Sequence, residues 1–157
     1  MAVVFGGLLT VAQAADTGLD DPDPARQRPG FLDLGSLPLP APPLASGLPT
    51  TGRRTVAFFV RPDRLDEVCR ALSGGHRLRR TSVVIVVSGP GACEGVPTVA
   101  DRGTQLARSY GLRRPRDGGP PMGYAVVDAH GLIRYRTLDP AVADELDEVK
   151  TIVGATP

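Results

Sequence analysis

The chain has 157 residues, which suits one domain with a terminal extension and a substantial core, and is short for two. Eighteen Lys and Arg against seventeen Asp and Glu give a formal net charge of +1, with Lys150 the single lysine; there is no basic footprint for nucleic acid and no acidic tail. Tryptophan is absent and aromatics are 4%, which disfavours base stacking, and two cysteines with two histidines in predicted turns, His76 and His130, lack metal-ligand spacing.

Residues 1–15 form a signal-like segment, apolar from Ala2 to Ala12 apart from Thr10, followed by the small-x-small triplet Ala12-Gln13-Ala14. It reads as an export signal or as the tail of a longer anchor helix; a buried or disordered N-terminus is the other reading. The first basic residue is Arg26, and the run is well short of the ~20 residues that span a bilayer. Residues 16–51 carry eight of the sixteen prolines, which excludes helix and favours extended or polyproline conformation. The early part of this stretch is charged and suits a tether. The later part, residues 31–48, has enough leucine to lie along a domain surface.

The periodic region, residues 52–157, is predicted as the domain. Thr55-Val56-Ala57-Phe58-Phe59-Val60 reads as a strand buried on both faces. Asp63 is placed to cap a helix over residues 64–73, with Leu65, Val68, Ala71 and Leu72 on one face and Gly74-Gly75 at its end. Residues 82–87 are a second β-branched run stopped by Ser88-Gly89-Pro90-Gly91, so the first three elements form a right-handed parallel crossover. A loop holding Cys93 leads to a short strand over residues 97–100 and a helix over residues 103–110. The turn-rich residues 113–121 precede a β-hairpin of residues 124–127 and 132–137 around Asp128-Ala129-His130-Gly131. Pro140 is predicted to open a last helix running to Gly154. The compact solution is a mixed central sheet, flanked by helices on both faces, with residues 132–137 at one edge.

That order resembles the thioredoxin-like superfamily over roughly residues 55–154. Pro97-Thr98-Val99-Ala100-Asp101 followed by Leu106-Ala107-Arg108-Ser109-Tyr110-Gly111 resembles a segment common in redoxins. Gly119-Pro120-Pro121 before Tyr124-Ala125-Val126-Val127-Asp128-Ala129-His130-Gly131-Leu132-Ile133 is similar to membrane-linked thiol:disulfide interchange proteins. The resemblance implies a thioredoxin-like α/β fold and a Cys-x-x-Cys at the start of the first helix, where the helix dipole lowers a thiol pKa. Here that tetrapeptide is Asp66-Glu67-Val68-Cys69, so the usual dithiol route is excluded.

The peroxiredoxin template on the same fold, Pro-x-x-x-Thr-x-x-Cys plus a distant arginine, is met by Pro62 and Cys69 but has Asp66 in place of threonine and Met122 where the arginine is expected. A carboxylate beside a thiol raises its pKa and opposes peroxidase chemistry. The family's cis-proline matches Pro121, with Pro120 as the alternative; a trans Pro-Pro turn entering the strand is the other reading.

Cys69 is either a nucleophile or a small buried core residue. Cys93 lies in a loop able to approach it, and export would favour a disulfide between them. Asp66 and Glu67 also fit a solvated first helical turn, and the clusters at residues 77–80 and 113–116 fit solvated loops, although the second could hold an anionic partner.

Two functions follow. One is an exported or membrane-tethered binding module with a degenerate redoxin site, retaining a groove near Asp66, Pro121 and Met122 for a protein partner at the membrane or cell envelope. The other is a thiol oxidoreductase or peroxidase-like enzyme using Cys69, alone or with Cys93. No cofactor, metal or nucleic acid is expected, and the oligomeric state is left open.

Overall fold

The computed structural model describes residues 37–74, 78 and 80–157. The signal-like segment, the earlier part of the proline-rich stretch and the Gly75, His76, Arg77 and Arg79 positions lie outside the described residues. Six strands form one sheet: β1 (Leu39–Pro40), β2 (Arg54–Val60), β3 (Thr81–Val87), β4 (Thr98–Ala100), β5 (Gly123–Val127) and β6 (Leu132–Leu138), in the order β1-β6-β5-β2-β3-β4. Strands β2, β3 and β4 run parallel, while β5, β6 and β1 pair antiparallel. Among the described residues three α-helices accompany them: α1 (Leu65–Ser73), α2 (Gln105–Ser109) and α3 (Leu146–Ala155).

The apolar runs of β2 and β3 are continuous because both faces are covered, and alternate residues enter different cores. Val56, Phe58 and Val60 pack with Leu65 and Val68 of α1 and with Leu146 and Val149 of α3. Ala57 and Phe59 face the opposite way, toward Ala107, Tyr110 and Leu44. Residues 37–48 lie on this second face. Leu44 is only 4% exposed, and the Tyr110 hydroxyl donates to the Pro42 carbonyl at 2.8 Å. Burial pushes the Tyr110 hydroxyl well above the usual phenol pKa.

Several expected boundaries move, each for a local reason. Leu39 pairs with Ile133 and Pro40 with Leu132, so β1 covers the start of β6, which is not the last strand of the sheet. Asp63 does not cap α1. Pro62–Arg64 form a short 3-10 turn, with the Arg64 N–H on the Arg61 carbonyl at 3.0 Å, and α1 starts after it without a side-chain cap. The second helix shortens to five residues because Gly103 (φ +81°) and Thr104 (φ +60°) turn the chain first. Two of its orphan donors are met by the Asp101 carboxylate, which accepts from Leu106 N at 3.0 Å and Ala107 N at 2.9 Å. Pro140 does not open α3. Asp139 Oδ1 accepts from Ala141 N at 3.0 Å, and successive turns hold residues 139–145 until the helix begins at Leu146.

The hairpin turn is built on Asp128, whose side chain is fully buried. Its Oδ1 accepts from the amides of His130 (2.8 Å) and Leu132 (2.9 Å), and its Oδ2 from Arg134 Nε at 2.6 Å. Burial alone would push this carboxyl up; the Leu132 amide, the Arg134 side chain, the His130 amide and the Arg134 charge outweigh it and hold it below the usual carboxylate range. Among the described residues no helix is long and apolar enough to cross a membrane.

Candidate functional site

The carboxyl ends of β2 and β3 meet the start of α1 and the loop before β5, which is where open α/β sheets gather ligand-binding groups. Cys69 is the fifth residue of α1, about 6 Å along the axis from its first residue. Cys93 lies in the loop between β3 and β4. The two form a disulfide, with Cα atoms 5.7 Å apart, and neither is a free thiol. The bridge that the sequence offered for this pair is observed.

Two glycines bring the loop close enough. An added Cβ on Gly89 would lie 2.7 Å from Pro62 Cγ, and one on Gly91 (φ +152°) would run into Leu65 Cδ2. A side chain at Gly89 would press on the Pro62 ring, and one at Gly91 would have to displace the Leu65 side chain and hold a positive φ. Cys93 is 7% exposed, and its amide donates to Thr98 Oγ1 at 3.1 Å. Cys69 is half-buried.

The first turn of α1 presents exposed Asp66 and half-buried Glu67, favourably placed for the helix dipole. Glu67 is held by Arg64, Nε to Oε2 at 2.6 Å. Arg61, just after β2, bridges to the opposite loop: its NH2 lies 2.7 Å from Asp117 Oδ2 and its Nε donates to the Pro120 carbonyl at 2.8 Å. Asp117 Oδ1 also accepts from Gly119 N at 2.8 Å. The Arg61 side-chain bond, the Gly119 amide and the Arg61 charge hold the exposed Asp117 carboxyl below its usual range, against a smaller opposing push from desolvation. Sequence reading missed this clamp, although the turn Asp117-Gly118-Gly119 was a local signal for its acceptor.

Pro121 and Met122 are buried where the chain enters β5, and the Met122 carbonyl accepts from Asp139 N at 2.9 Å. The expectation of a cis-proline at Pro121 or Pro120 is corrected: among the described residues the cis bonds precede Pro38 and Pro49. Asp66 therefore stands at the helix start, Met122 lies in the wall of a cleft with Arg61 and Arg64, and the sulfur chemistry is one helical turn away.

Peroxiredoxin Q of Xanthomonas campestris superposes on the chain with a TM-score of 0.51 at 16% identity, over 82% of this chain and 96% of that one. The chain has a thioredoxin-like fold. The bacterioferritin comigratory protein of Xanthomonas campestris, whose structure was described for alkyl peroxide reduction, shares that fold at 17% identity and a TM-score of 0.51, covering 86% of this chain and 97% of its own. AhpC of Enterococcus faecalis does so at 18% identity and 0.50, over 67% and 75%. No protein-family model and no curated sequence matches the chain. Within the thioredoxin-like fold, the sheet order places β2 at the centre between β3 and β5.

Proposed function

We propose that the protein is an exported or membrane-tethered thioredoxin-fold module that binds a partner in the cell envelope and keeps its disulfide as a structural cross-link. The observation that carries this reading is the position of the sulfurs. The start of α1 presents Asp66 and the Arg64–Glu67 pair, while Cys69 lies beyond the first turn, to which the helix-dipole effect is confined, bonded to a buried Cys93. Exchange requires an incoming thiolate to reach a sulfur, and burial of Cys93 opposes attack there. The apolar start and Ala12-Gln13-Ala14 support export, and a persistent disulfide fits an oxidising compartment.

A second reading is favoured by the pairing itself. A helix cysteine keeping the redoxin spacing from Pro62 is joined to a loop cysteine. In a peroxidase cycle the Cys69 thiolate would attack the peroxide O–O bond, giving a sulfenic acid and an alcohol; Cys93 would then displace water and form the disulfide. An external dithiol would reduce it.

Peroxide consumption with dithiothreitol as reductant, measured on wild type and Cys69→Ser, separates the two. Equal rates are expected. A wild-type rate clearly above the variant restores the enzyme reading.

A further inference from the structure

Between the end of β2 and the loop before β5 lies a cleft of about 330 Å³, near the lower end of the ~300–1,000 Å³ typical of small-ligand pockets. Met122, Leu138 and Pro140 give it an apolar lining. Of its five charged residues, three are already engaged: Arg61 with Asp117, and Arg64 with Glu67 outside the cleft. The other two, Arg116 and Asp63, have no hydrogen-bond or ion-pair partner among the described residues. A simple anion would gain Arg116 but meet the Asp63 charge. A simple cation would meet the reverse. One free charge of each sign beside an apolar lining is complementary to a ligand carrying both.

We propose that this cleft binds a short zwitterion with an apolar side chain, a free amino acid or a di- or tripeptide, with its carboxylate on Arg116, its ammonium on Asp63 and its side chain against Met122 and Leu138. This rests on reading the protein as a binding module and gives that module a ligand chemistry. Guanidinium recognises carboxylate through paired N–H donors, and three ordered residues supply the apolar contact. The disulfide takes no part.

The test is calorimetric titration of the intact, oxidised chain with leucine, Leu-Leu, N-acetyl-Leu-Leu and Leu-Leu-amide. Saturable binding is expected for Leu-Leu or for leucine, and the tighter of the two identifies the source as peptide or free amino acid. Arg116→Gln should weaken the better zwitterion about five- to tenfold yet leave Leu-Leu-amide, already without its carboxylate, unchanged. Asp63→Asn should do the same for the zwitterion and leave N-acetyl-Leu-Leu unchanged. Both side chains are exposed, so these variants retain the fold. Absence of saturable binding by all four probes, or losses that ignore which end is blocked, overturns the proposal. Absence of binding together with equal peroxide rates removes the cleft ligand alone; a Cys69-dependent rate removes the non-catalytic reading whatever the titration gives.

Discussion

On one face of the sheet Phe58 lies in a core with α1 and α3; on the other, one residue along the same strand, the Phe59 ring packs tilted against Tyr110 at 5.3 Å between ring centres, in a core closed by a five-residue helix and residues 37–48. The first face is closed by regular helices whose apolar residues recur at helical spacing and by a covalent bridge. The second is closed by proline-rich chain that has no repeating pattern and is held by particular contacts, such as the Tyr110 hydroxyl on Pro42. Equal burial can thus be reached with or without periodic secondary structure.

The largest expected effect tests whether the two cores are equivalent. Phe58→Ala and Phe59→Ala should each cost about 3–5 kcal/mol in chemical denaturation. A much smaller loss for Phe59→Ala would mean that residues 37–48 cover the second face only loosely.

Next comes the bridge, which stiffens the first face alone. Replacing both cysteines, as Cys69→Ser with Cys93→Ser, should lower stability by about 3.5 kcal/mol, the loop-entropy value for a separation of 24 residues. Retained stability would show that the glycine-mediated loop contacts suffice.

Asp128 belongs to the hairpin turn, where its carboxylate holds His130, Leu132 and Arg134. Its folded pKa lies below the unfolded value, so its contribution is present above about pH 4, the ordinary aspartate value, and is lost as pH falls through the folded pKa. Asp128→Asn should cost about 1–3 kcal/mol at pH 7 and flatten the stability profile on the acid side. An unchanged acid slope would count against this assignment.

The smallest effect addresses the second face again. Tyr110→Phe removes only the bond to Pro42 and should cost about 0.5–1.5 kcal/mol, read as a fall in Tm.

These contrasts mark what the sequence made legible. The β-branched runs of β2 and β3 located the sheet because strands buried on both faces need no turn chemistry to be recognised. Tyr124 to Val127 and the Asp128 turn located the hairpin. Strand β1 escaped because two residues flanked by prolines have no period, and the start of α3 was misplaced because Pro140 opens a turn as readily as a helix. At the site, Asp66 and Met122 were legible as departures from a known pattern, and Cys69 as a position that keeps its spacing from Pro62. The Arg61–Asp117 clamp joins residues far apart in the chain, and no local signal pairs them.

The two-residue strand β1 has a consequence for how copies of this protein meet. A sheet ending on the seven-residue β6 would offer a row of unsatisfied amides and carbonyls, a template for intermolecular pairing. Here β1 lies outside it, and Pro38, Pro40, Pro42 and Pro43 carry no N–H to donate. At the opposite border β4 is only three residues long. The β4 margin is thus a poor seed for fibrils, while β1 shields β6 at Leu132 and Ile133, and cutting away residues 37–43 would lay those two positions open as well.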